Sequence, residues 1–160
     1  MAQDLDIAVV RKSVTVDLPQ QAAFDIFTAK LGTWWPAGYH IGATDLKDFV
    51  MEPRSGGRWY EVGEDGTECD TGRVLTFDAP NRVVLSWHIT EQWSYDPDPA
   101  HASEVEVRFV AEAPSRTRVE LEHRHIERHG DGAKSIHDVV DDEMGWPLLL
   151  GRYAAAATAS

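Results

Sequence analysis

The chain has 160 residues, 42% of them apolar and 26% charged, which fits one globular domain (1–160) able to fold without disulfides or structural metal. Its 27 acids against 15 bases give a net charge of -12, which argues against nucleic acid and anionic membrane surfaces, since both need concentrated Lys and Arg. A single cysteine, Cys69, excludes an intrachain disulfide and points to a reducing, cytoplasmic setting; the acidic start Met1-Ala2-Gln3-Asp4-Leu5-Asp6 lacks the pattern of a signal peptide, and no apolar run is long enough to span a membrane.

Residues 7–17 are rich in β-branched side chains, with Val10, Val14 and Val16 on one face, and predict a strand. Pro19 is placed to open a helix, and Ala22, Ala23, Ile26 and Phe27 keep helical spacing as far as Ala29. Trp34-Trp35-Pro36 closes that region, because the residue before a proline avoids helical backbone. Strands are predicted at 47–52, 58–62, 69–77, 82–90, 104–112 and 116–126, divided by turn signals such as Asp65-Gly66. Val83, Leu85, Trp87 and Ile89 share a face, as do Val105, Val107 and Phe109, and likewise Val119, Leu121, His123 and His125. One buried and one wet face per strand means an antiparallel sheet. Ala133, Ile136, Val139 and Val140 predict a short helix, a break falls between Met144 and Pro147, and 148–157 predicts a final helix. The order is that of an α+β protein in which the terminal helix covers the apolar face of the sheet.

Several stretches carry a resemblance: Trp34-Trp35-Pro36, the run from Glu52 to Trp59, Asp65-Gly66 followed by Gly72-Arg73-Val74, Leu85-Ser86-Trp87, the run from Ser103 to Val107, the run from Val119 to His123, and Gly145-Trp146. In this order, over about residues 7–157, the chain resembles the START-like, Bet v 1-like (SRPBCC) superfamily. Within it, the chain is most similar to bacterial homologues of the Hsp90 ATPase activator. The resemblance implies a helix-grip fold, a curved antiparallel sheet wrapped around a C-terminal helix with an internal cavity. It also implies a small hydrophobic molecule as partner, and an Hsp90-type chaperone by resemblance only. Thr71 stands where many close relatives carry an aromatic residue, a departure expected to enlarge or polarise the pocket. One fold hosts lipid carriers, hormone receptors, cyclases and co-chaperone domains, so the site must decide.

Six tryptophans are many for this length. Most are expected in the core, and some in the wall of a cavity, since ligand pockets are mostly apolar and aromatic. Trp35, Trp59, Trp87, Phe109, Leu121 and Trp146 are the expected apolar ligand contacts, with His40, Glu61 and His123 supplying polar orientation. Glu61 shares a face with Trp59, so it is either a buried acid or a solvated one. His123 and His125 share a strand face and are read as satisfied histidines at the sheet mouth or as an acid/base or orienting group. His-x-His with His129 or His40 offers three imidazoles, but no carboxylate motif accompanies them and no metal is expected. Cys69 lies between Glu68 and Asp70, whose charges dull a thiol. Gly56-Gly57 reads as a turn rather than a phosphate loop, and no cofactor is expected. The leading expectation is a binder of a small hydrophobic or aromatic ligand. The alternatives are an enzyme of cyclase, dehydratase or hydrolase type using His123 or Glu61, and a chaperone-interaction module. Monomer and homodimer stay equally open.

Overall fold

The computed structural model describes residues 7–159, so the acidic stretch 1–6 read above and Ser160 lie outside the described residues. In chain order the elements are β1 (Val10–Val16), α1 (Gln20–Thr28), α2 (Leu31–Trp34), β2 (Leu46–Met51), β3 (Arg58–Gly63), β4 (Glu68–Asp78), β5 (Arg82–Trp87), β6 (Ser103–Ala113), β7 (Arg116–Arg124), α3 (Ala133–Asp141) and α4 (Trp146–Thr158). The seven strands form one antiparallel sheet in the order β1-β7-β6-β5-β4-β3-β2. The sheet curls around α4, which is the helix-grip arrangement.

The curl has a local cause in β4. Trp59 faces Gly72 and Tyr60 faces Asp70, which leaves Thr71 as an extra residue. Val74 faces Leu85 and Thr76 faces Val84, which leaves Leu75 extra as well. Each bulge bends its strand and increases the twist. Gly72 sits where the indole of Trp59 reaches over to the Ser86 carbonyl, with Nε1 2.9 Å from the oxygen. A Cβ on Gly72 would lie 1.8 Å from that same oxygen, so the close approach requires glycine.

Three expected boundaries move. The strand expected at 82–90 ends at Trp87, and the chain then turns through 90–94, where Thr90 N donates to Ser94 O and Trp93 N donates to Thr90 O. The strand expected at 116–126 ends at Arg124, because His125 takes a left-handed conformation (φ 59°). That turn breaks the alternation, so His125 leaves the face it was expected to share with His123 and is exposed. Trp146 and Pro147 begin α4 instead of interrupting it, with the proline in the first turn, where its missing N–H costs no helical bond.

α4 is tied to both preceding helices. The Tyr153 hydroxyl donates to Ala23 O (2.7 Å) and Arg152 Nε donates to Trp34 O (2.8 Å). Beneath α4 the aromatic side chains divide into two groups. Phe24, Phe27, Phe77, Phe109 and Tyr153 pack edge-on at the α1 end. Trp35, Trp59, Trp87 and Trp146 form a closed circuit at the other end, with neighbouring ring centroids 5.8–6.4 Å apart. On the opposite face of the sheet, Glu106 is buried under the guanidinium groups of Arg82, Arg108 and Arg124. Among the described residues, no helix is long and apolar enough to cross a membrane.

Candidate functional site

At the tryptophan end the sheet and the α3–α4 pair do not close completely. A cavity of about 660 Å³ lies between them. This is within the range of small-molecule sites. Trp35 and Trp87 form part of its wall, Trp146 and Leu149 of α4 another part, and Val139 and Val140 of α3 the side toward solvent. Three of the lining tryptophans spend their only polar atom on the protein: Trp35 Nε1 donates to Tyr39 O (2.9 Å), Trp87 Nε1 to Ile89 O (3.1 Å) and Trp146 Nε1 to His123 Nδ1 (3.0 Å). With these three indole N–H groups satisfied, this part of the wall offers ring carbon.

Polar lining comes from a few groups. Glu61 on β3 is 4% exposed, which settles its facing: it shares the inward face with Trp59. Its carboxylate accepts from Ile41 N (2.9 and 3.0 Å) and Gly42 N (2.7 Å), and so clasps the loop between α2 and β2 onto the sheet. A Cβ on Gly42 would lie 3.0 Å from Glu61 Oε1, so a larger residue there would press on the carboxylate. His40, in that loop, lines the cavity and has Nδ1 2.9 Å from Gly42 O. Thr71, the first bulge residue, also lines it, and the residue is 4% exposed. The Tyr39 hydroxyl donates to Met144 O (2.9 Å), bridging that loop to the turn before α4.

His123 is fully buried behind this wall and does not line the cavity. An indole N–H only donates, so His123 Nδ1 accepts from Trp146 and carries its proton on Nε2. Nε2 donates to Ser103 Oγ (2.8 Å), whose hydroxyl donates to His129 Nε2 (2.8 Å). Burial pushes the His123 imidazole down to about 3, with His129 and His137 adding repulsion. Burial likewise lowers His129. The ring is therefore neutral and both its nitrogens are engaged, which corrects the expectation of an acid/base facing a ligand: His123 fixes the Trp146 indole.

Of the nine residues expected at the site, Trp35, His40, Glu61, Trp87 and Trp146 come together around the cavity. Trp59, Phe109, Leu121 and His123 do not line it. Trp59 lies behind Trp35 and Trp87, and Phe109 packs on Phe24 and Phe27 at the far end of β6. Leu121 is core. Alternation assigned the faces of these strands, whereas depth along the strand decides between wall and core.

Among the lining residues the sequence reading missed are Thr71 as a contact, Trp93, Val139 and Met144. The last three are exposed at the cavity mouth. Trp93 has φ 59°, a strained conformation for a bulky side chain. Only the turn residues around it signalled a loop. Among the described residues, no group of three or more His, Cys, Asp or Glu is placed to hold a metal. The Cys69 thiol is pushed up by burial first and then by Glu61, so its expected neighbours Glu68 and Asp70 are not the main cause.

The family described as "Activator of Hsp90 ATPase homolog 1-like protein" matches residues 17–152. No curated protein matches. Among solved structures, the anthrahydroquino-γ-pyrone synthase Txn09 is 41% identical, over 93% of this chain and 96% of that one, with a TM-score of 0.67. CalC from Micromonospora echinospora, a self-sacrificing resistance protein, is 32% identical over 96% of both chains, with a TM-score of 0.69. Protein MLL2253 from Mesorhizobium loti shares the fold (TM-score 0.67) at 16% identity, over 96% of this chain and 98% of that one. The motif resemblance, the curled sheet gripping α4 and a family match over most of the sequence agree: the chain belongs to the activator of Hsp90 ATPase homolog 1-like family, on the helix-grip fold of the SRPBCC superfamily.

Proposed function

We propose that this protein, acting as one cytoplasmic domain over residues 1–160, binds a small, flat hydrophobic or aromatic molecule between its sheet and the α3–α4 pair. The observation that carries the reading is the cavity itself, about 660 Å³ and walled by three tryptophans whose N–H groups are turned into the protein. A flat ligand gains area and ring contacts from such walls at little ordering cost, because the side chains are already held. The relative Txn09, named as a synthase of an anthrahydroquino-γ-pyrone, supports a polycyclic aromatic class. Titration of the intrinsic tryptophan fluorescence with anthraquinones and other polycyclic phenols tests it. Saturable quenching in the micromolar range, weakened by Trp87→Leu, is the expected result. No saturable change with any member of such a panel would remove the reading.

A second reading, turnover of the bound molecule by a cyclase-type reaction, is favoured by that relative's name and by the buried Glu61 on the wall. A carboxylate within reach of a substrate proton is a general base. Its test is product formation by the unmodified chain and loss of turnover of bound substrate with Glu61→Gln. The chaperone reading rests on the family description, and a pull-down with Hsp90 at micromolar concentration decides it.

A further inference from the structure

Two glutamates of the described chain are buried to the same extent, each 4% exposed, and their surroundings differ sharply. Glu106 has three arginines on it, Arg82, Arg108 and Arg124. Glu61 has no Lys, Arg or His within ion-pairing distance among the described residues; backbone N–H groups of Ile41 and Gly42 are its only polar contacts. Buried charges are ordinarily paired, because the cost of taking a carboxylate out of water is recovered only by a nearby cation or a full set of donors. Glu61 lines the cavity and no Lys or Arg does; the lining His40 has Asp45 3.7 Å away, and of the other lining acids, Asp138 and Asp142, the first is already paired with Lys134. On the strand next to that of Glu61, Thr71 also lines the cavity, and its hydroxyl is an acceptor for a donor placed there. Four indoles, those of Trp35, Trp87, Trp93 and Trp146, also line the cavity, and an indole face attracts cations. The whole chain, at -12, adds a field of the same sign.

We infer that the ligand carries a protonated amine, which pairs with Glu61 and Thr71 inside the tryptophan wall while its flat apolar part fills the rest of the cavity. This rests on the binding reading above and adds the charge of the ligand. Anions of the same shape are disfavoured, because no Lys or Arg lines the wall and the unpaired Glu61 carboxylate repels them.

Three probes of one shape test it on the unmodified chain at pH 7.5 by fluorescence quenching: 2-(aminomethyl)anthraquinone as cation, 2-(hydroxymethyl)anthraquinone as neutral analogue and anthraquinone-2-carboxylate as anion. The cation is expected to bind at least about tenfold more tightly than the neutral analogue, as for a close charge pair out of water, and the anion more weakly than either. Glu61→Gln should bring the affinities for cation and neutral analogue within about twofold of each other. Thr71→Val, which leaves the Glu61 clasp intact, should lower the cation preference by a smaller factor and serves if the Gln variant fails to fold. Equal affinities for cation and neutral analogue, or a preference for the anion, would overturn the charge inference and leave the binding reading standing. Absence of binding by all three would count against both.

Discussion

Replacing His123 by Phe tests the neutral hydrogen-bonded chain behind the cavity wall. Phe keeps the ring contacts with Trp87 (5.4 Å) and Trp146 (6.1 Å) but deletes both nitrogens. The Trp146 N–H is then a buried donor without an acceptor, which costs about 1–3 kcal/mol, while Ser103 retains His129. For a domain of this size that corresponds to a fall in melting temperature of roughly 2–12 °C at pH 7.5. The pH dependence is the sharper readout. The folded-state imidazole is held at about 3 against 6.5 for an unhindered one. Below 6.5 the unfolded chain takes up a proton that the folded chain refuses, so stability falls as pH drops toward 3. Between pH 7.5 and 5 this one group removes about 2 kcal/mol from the parent and nothing from the variant. His129, also pushed down by burial, acts the same way in both proteins and largely cancels in the difference. Urea unfolding of parent and variant at pH 7.5, 6.25 and 5 should therefore show a gap that closes with acid. Parallel curves, or a gap that widens as pH falls, would mean that His123 is protonated or solvated in the folded state, and the hydrogen-bond chain would be misassigned.

Three further outcomes are expected. Gly72→Ala forces a Cβ to within 1.8 Å of the Ser86 oxygen and should cost more than about 4 kcal/mol, seen as a large drop in melting temperature; a cost below about 1 kcal/mol would show that the β4 bulge is not fixed by the Trp59–Ser86 bond. Burial pushes the Glu106 carboxyl up, but bonds from Arg124, Arg108 and Arg82 outweigh it and hold it at about 2. Its contribution is therefore present above the unfolded value near 4.5 and lost as pH falls from there toward 2. Glu106→Gln should lower stability at pH 7 and flatten the acid loss in that window; an unaltered acid profile would speak against the pairing. At position 93, where φ is 59°, Gly should be more stable than Ala by about 1 kcal/mol in urea unfolding, since both lose the indole and only Gly tolerates the conformation; an Ala variant at least as stable would show that the turn relaxes.

Two-residue alternation in the chain determined the face of β5, β6 and β7, and the spacing of apolar residues determined the helices, because those rhythms follow from backbone geometry alone. Together with the motifs from Trp34 to Trp146, that was enough for the helix-grip architecture and for five of the cavity residues: Trp35, His40, Glu61, Trp87 and Trp146. Three-dimensional packing decided the rest. Alternation cannot say how far along a strand the cover ends, so Phe109 and Leu121 read like Trp87 yet lie in solid core. A bulge leaves no mark in composition, and Thr71 enters the wall only because an extra residue in β4 turns it inward. The state of His123 depends on a tryptophan 23 residues away in sequence that can only donate, and the state of Glu61 on two backbone N–H groups of a loop folded back across β3. Such properties belong to pairs of groups distant in the chain, and only the folded molecule brings them within bonding distance.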